Sequence, residues 1–288
     1  MRFMMIVKAD DKSEAGVMPT EAQLSEMGEY NDQLIEAGVL LAGEGLHSSR
    51  EGTRVRLSKG NYTVTDGPFA EAKELVAGFW VIETPSAAEA LDWAKRVPGI
   101  VGQIELRLLF GPEDFPADEN APKAVEPAAP PQPAAKRTQG PRFMLLLKSD
   151  KRTESDAMPK KAALDAMDAL MGAMAAKGAM LGGEGLKPTK HGKRVVFTGK
   201  GHTVVDGPFA ETKELIAGYV ILRVPTRAEA IEFAKRWLAI HVDNSDGVLD
   251  ESEIEIRRVH ELEDFPVDPA ETPDGWRARE AAFRESHE

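Results

Sequence analysis

The 288-residue chain is 42% hydrophobic and 29% charged, the balance of an ordinary globular protein. Its net charge of −12 works against nucleic-acid binding, which needs cations to neutralise phosphates, and no apolar run approaches the ~18 residues of a membrane span. There is no cysteine, so disulfides, thiolate nucleophiles and cysteine-based metal sites are excluded.

The chain begins Met1-Arg2-Phe3-Met4-Met5-Ile6-Val7-Lys8. This is too short and too soon charged for a signal peptide, and it reads as a buried strand over 3–7. A cytoplasmic protein with no membrane or nucleic-acid partner is expected. Thr20-Glu21-Ala22-Gln23 forms a capping box, with Leu24, Met27 and Leu34 at helical spacing behind it and Gly38 as the stop. Residues 39–46 read as a strand ending in glycines. Arg54–Leu57 and Tyr62–Thr65 alternate about Lys59-Gly60-Asn61 and predict a hairpin. The block Asp66-Gly67-Pro68-Phe69-Ala70-Glu71 follows, then a strand over 78–83. A second capping box at Ser86–Glu89 opens a helix that stops at Pro98, and a last strand spans 103–110.

Shifted by 140 residues, the chain overlays itself from Arg2 to Arg96. Met18-Pro19 meets Met158-Pro159, Gly43-Glu44-Gly45-Leu46 meets Gly183-Glu184-Gly185-Leu186, and the six-residue block returns unchanged as Asp206–Glu211. After an insertion of ten residues in the second copy, Glu113-Asp114-Phe115-Pro116 meets Glu263-Asp264-Phe265-Pro266. The domains are expected at 1–116 and 142–267. An Ala/Pro-rich linker over 117–141 could reach roughly 75 Å, and a charged tail spans 268–288, with a short amphipathic helix over 276–287.

The order β-α-β-hairpin-β-α-β is the ferredoxin-like plan with an inserted hairpin, an α+β fold. Its sheet has one face covered by helices and one bare. Two copies in one chain predict that the bare faces pack together as an intramolecular pseudo-dimer of the dimeric α/β-barrel type, with a small-molecule site in the cleft between sheets and room for further self-association.

Gly182–Leu186, Asp206–Glu214 and Ala217-Gly218-Tyr219 resemble the YCII-related family, in its DGPF subgroup, and the resemblance covers both copies. It implies a ferredoxin-like fold that pairs into dimers. Functions in the family are mostly unassigned. Members outside the subgroup imply small-molecule chemistry through a His–Asp pair, including dehydrochlorination of an aromatic. The first helix of this chain departs from that pattern: neither 21–37 nor 160–177 contains a histidine.

Asp66 and Asp206 are the candidate catalytic carboxylates, set at strand ends and expected to face the intersheet cleft. The competing reading makes each an Asx-type turn acceptor before Gly-Pro, which is the commoner use. Glu44 and Glu184, between glycines, are candidate ligand contacts. So are Arg54 and Arg194, as anion clamps or hairpin-edge covers, and the charged cluster Glu71, Lys73, Glu211 and Lys213. The histidines do not repeat, so no catalytic histidine is common to both copies; His241 or His202 could serve a single site. Asn244, Asp246, Gly247, Leu249 and Glu253 half-match a calcium loop, but its first position is Val242 and 254–256 reads as strand, so an insertion loop is favoured and no metal is assigned. No motif calls for a cofactor, and none is expected. A small-molecule enzyme and a non-catalytic sensing or interaction module both remain open.

Overall fold

The computed structural model describes residues 1–70, 75–100, 102–115, 138–155, 157–199, 201–210, 215–245, 247, 249–265, 277–279 and 281–282. Residues 117–137 of the linker expected over 117–141, and most of the expected tail helix, lie outside the described residues.

The first copy runs β1 (Arg2–Lys8), α1 (Asp11–Glu14), α2 (Glu21–Glu36), β2 (Leu40–Gly45), β3 (Thr53–Ser58), β4 (Asn61–Asp66), β5 (Val76–Glu83), α3 (Ala87–Lys95) and β6 (Gly102–Leu108). The second runs β7 (Arg142–Lys148), α4 (Lys161–Ala175), β8 (Met180–Gly185), β9 (Lys193–Thr198), β10 (Gly201–Asp206), β11 (Ile216–Arg223), α5 (Arg227–Asp243) and β12 (Glu251–Arg258). Local chemistry sets these boundaries. Thr20 accepts from the Gln23 amide while the Gln23 side chain accepts from the Thr20 amide, so the capping box forms in full. The β3–β4 turn places Lys59 at φ 48° and Gly60 at φ 78°, two left-handed residues that match a two-residue hairpin to the strand twist.

Two six-stranded sheets result, ordered β10-β9-β6-β1-β5-β2 and β4-β3-β12-β7-β11-β8. Four consecutive strands of each, β6-β1-β5-β2 and β12-β7-β11-β8, follow the ferredoxin-like order. The two at the other end belong to the other copy. β3 pairs antiparallel with β12 from Thr53 opposite Ile256 to Ser58 opposite Glu251, and β9 pairs with β6 in the equivalent way. The copies have exchanged hairpins. Periodicity cannot reveal this, because a hairpin alternates identically whichever sheet receives it.

Three apolar layers hold the molecule together. Met4, Ile6, Phe79 and Val81 of one sheet meet Met144, Leu146, Tyr219 and Ile221 of the other in the middle layer. The bare faces therefore do pack on each other, as the sequence predicts. They fill the space between them with side chains, however, and the expected intersheet cleft is a core. Outside lie two helix-covered cores. Val55 and Leu57 from the first-copy hairpin enter the second copy's core, and Val195 enters the first copy's. Each such side chain contributes about 1.5–3 kcal/mol on full burial.

Polar anchors accompany them. Glu255 on β12 is fully buried and meets Arg54 of the exchanged hairpin at 2.9 Å, Arg257 at 3.1 Å and Lys148 at 3.3 Å. In the other sheet Glu105 meets Arg194 at 2.9 Å and Arg107 at 3.0 Å. Burial alone would raise the Glu255 carboxyl, but the cations of Lys148, Arg257 and Arg54 outweigh it and hold it down at about 2.

Glu255→Gln should therefore cost roughly 3–5 kcal/mol in chemical denaturation, because three cations lose their buried counter-charge. In the parent protein the contribution of Glu255 is complete above the ordinary glutamate range. It drains away as pH falls through that range toward about 2. The stability–pH curve of Glu255→Gln should be correspondingly flatter in acid.

Candidate functional site

The signature block is assembled around one close approach. A Cβ on Gly67 would fall 1.8 Å from the Ser49 carbonyl oxygen, and one on Gly207 1.8 Å from that of Thr189. Glycine is the residue that fits at either place. The Phe69 amide donates to Ser49 Oγ at 3.0 Å, and the Ser49 hydroxyl donates to Glu14. The Phe69 ring lies under the Arg54 guanidinium at 4.1 Å, and Arg54 reaches Glu255. The second copy repeats this with Phe209, Thr189, Glu154 and Arg194. Arg54 and Arg194 are thus committed to buried glutamates, and Phe69 and Phe209 cover them.

Asp66 and Asp206 stand at the ends of the outermost strands, 61% and 74% exposed. Asp66 accepts from Thr53 Oγ1 at 2.9 Å and lies 3.4 Å from Arg227; Asp206 accepts from Lys193. Neither faces the layer between the sheets, because both belong to hairpins that run along the far edge. Glu71, Lys73, Glu211 and Lys213 lie outside the described residues. In the insertion, Glu253 belongs to β12 and lies 3.6 Å from Arg54, while Asp246 is outside the described residues.

A pocket of about 540 Å³ opens elsewhere, between α2 and the β2–β5 edge. Gly43, Gly45 and Gly78 leave that part of the sheet without side chains. Leu24, Met27 and Ile35 of α2, with Trp80, supply apolar walls. Glu44 lines this pocket, not the intersheet cleft where a ligand is expected from the sequence, and its carboxylate accepts from the buried Arg142 guanidinium. Glu184, its counterpart, pairs with Arg2, and burial pushes its carboxyl up.

The polar end of the pocket comes from both copies. The His47 amide donates to the Arg258 carbonyl at 3.0 Å, the His260 amide donates to the Gly45 carbonyl at 2.9 Å, and Leu46 bridges Val259 between them. This backbone stitching stacks the two imidazoles, with centroids 3.9 Å apart. His47 Nε2 lies 2.9 Å from Asp264 Oδ2, a partner 217 residues along the chain, and His47 Nδ1 lies 3.3 Å from Glu51. Asp264 also accepts from the Glu261 amide at 2.8 Å and from Arg258 at 3.1 Å. Burial would raise its carboxyl, but these donors outweigh burial and lower it. Arg257, anchored on Glu255, donates to the His47 carbonyl, so the buried ion cluster also positions the histidine.

A model of the YCII-related domain matches residues 1–109 and again 142–240. The chain belongs to the YCII-related family. It is also 32% identical over 102 residues to an uncharacterised protein of Rhizobium meliloti (strain 1021), a match covering 34% of this chain and 82% of that relative. Among the described residues, no helix is long and apolar enough to cross a membrane.

The two YCII copies are not equivalent at this place. By the repeat offsets, Lys187 stands where His47 does, Phe110 where His260 does, and Asp114 where Asp264 does. Lys187 donates to Asp114 and lies 5.8 Å from the Phe110 ring centroid. No histidine recurs between the copies, and the single-site candidates named from the sequence are His241 and His202, not His47 and His260. The signal that could have found them was their position, one after Gly-Glu-Gly-Leu and one four residues before Asp264. His241 pairs with Asp150 at 2.7 Å, but Asp150 also caps the 150–155 turn through the Arg152 and Thr153 amides. That pair ties a loop to the end of α5 and is not part of the pocket wall.

Gly67→Ala should destabilise the protein by about 3 kcal/mol, since backbone must shift to admit the methyl group. Asp66→Asn should stay within about 1 kcal/mol, as an exposed ion pair contributes little. Equal losses in denaturant titrations of the two variants would contradict this division. At the pocket, burial and then His47 hold His260 down at about 4. The unfolded chain takes up that proton first, so stability falls as pH drops from about 6.5 toward 4. His260→Phe, the side chain already used at position 110, should remove that part of the slope.

Proposed function

We propose that the chain binds a small, largely apolar molecule in the α2–β2 pocket and moves a proton on it with His47. The observation that carries this is the His47–Asp264 pair at the polar end of an apolar-walled pocket about the size of a drug-like ligand. Asp264 orients the imidazole and balances the charge that His47 gains on accepting a proton. Stacked His260 and the surrounding apolar walls limit water around it. General-base help of this kind is worth about 10²–10⁴ in rate. Geometry favours proton abstraction from carbon or oxygen next to an activating group. Asp66 and Asp206 serve the fold in this reading. The family resemblance supports a His–Asp pair, here assembled from two copies in place of a helix-one histidine.

The test is a thermal-shift screen of small phenols and enolisable carbonyl compounds, followed by proton NMR of the hits in D₂O. Stabilising compounds should bind at least about tenfold more weakly to His47→Gln and Asp264→Asn, and Lys187→Gln should bind them as the parent does. Loss of an acidic C–H signal should depend on His47. Hits indifferent to both substitutions would overturn the assignment, and binding without any proton exchange would reduce it to a sensing module.

A further inference from the structure

We propose that His47, His260 and Asp264 form a site for one divalent transition-metal ion, with its open coordination positions facing the α2–β2 pocket. This rests on the reading of that pocket as the functional one. One ligand atom from each of the three residues lies within 4.8 Å of the others. His47 Nε2 is 2.9 Å and His260 Nδ1 3.9 Å from Asp264 Oδ2. Bonds of about 2.0–2.2 Å in a tetrahedral site put ligand atoms roughly 3.3 Å apart, so side-chain rotations of an ångström or so close the set.

The outer groups are those of a metal centre. Glu51 sits 3.3 Å from His47 Nδ1, where accepting that proton leaves Nε2 as the ligand atom. Asp264 is fixed by the Glu261 amide and by Arg258. The histidine main chains are pinned by the Leu46–Val259 bridge, so both rings come from rigid sheet edges. Two imidazoles and one carboxylate suit zinc or a neighbouring late first-row ion, whereas calcium and magnesium prefer oxygen-rich sites. The ion would take the place of the proton that His47 shares with Asp264, so the metal-loaded form and the form in which His47 acts as a base are alternatives, and the ion's free positions could polarise an oxygen of the bound molecule. The second copy supports the assignment by contrast. There an ammonium group, Lys187, already sits on Asp114, and Phe110 offers no ligand atom.

The experiment uses the full-length, tag-free chain stripped with chelator, titrated with Zn²⁺ by calorimetry and with Co²⁺ by visible absorption. One ion per chain should bind. Cobalt should give the intense bands of a low-coordinate site, and His260→Phe should weaken binding by about 100-fold or more. His202→Gln, at an exposed histidine, should bind as the parent does. No stoichiometric binding, or binding unchanged in His260→Phe and His47→Gln, overturns the proposal. If metal binding fails while small-molecule binding still depends on His47, the metal site alone is lost. If metal binds and no small molecule does, the pocket reading alone is lost.

Discussion

Two buried carboxylates, Glu105 and Glu255, hold this structure to a single arrangement. Each sits on a strand of one copy and is neutralised in part by an arginine carried on a hairpin from the other, Arg194 and Arg54. Taking a carboxylate out of water costs several kcal/mol unless its partners arrive in good geometry. Apolar contacts such as Val55 and Leu57 would tolerate a hairpin displaced along its neighbour. A buried glutamate that must meet its arginine does not. The ion pairs therefore act on register and on the exchange itself, while the apolar layers supply most of the stabilisation.

The signature block takes its meaning from that constraint. Gly67 lets the chain press against the Ser49 carbonyl, Phe69 then closes over Arg54, and the Ser49–Glu14 contact joins the same polar cluster through Arg257. Its repetition in both copies follows, because both exchanged hairpins have to be locked. Conserving a block between two halves of one chain is thus no sign of chemistry when both halves need the same joint.

The pocket follows the opposite rule. Main-chain bonds join the ends of β2 and β12 on one side of the pseudo-two-fold and the ends of β8 and β6 on the other, so residues from both copies meet twice. One side holds His47, His260 and Asp264, and the other holds Lys187, Phe110 and Asp114. A homodimer would have to repeat its site, since both subunits share one sequence. A fused pair is free to let the two diverge, and here the stacked His47–His260 pair stands on one side while Lys187 and Phe110 take those positions on the other.

The chain by itself determined the order of the strands and long helices, the capping of α2, the hairpin turn, the internal repeat and the meeting of the bare sheet faces. The first three follow from spacing of two or 3.6 residues or from local turn chemistry, the repeat from the overlay of the two halves, and the last from the need to bury a bare apolar face. Only the tertiary structure decided which sheet receives each hairpin, that the layer between sheets is filled, and that His47 meets Asp264. Those outcomes depend on contacts between residues up to 217 positions apart. Side-chain alternation is the same for either pairing, so the choice rests on where buried charges find their partners in space.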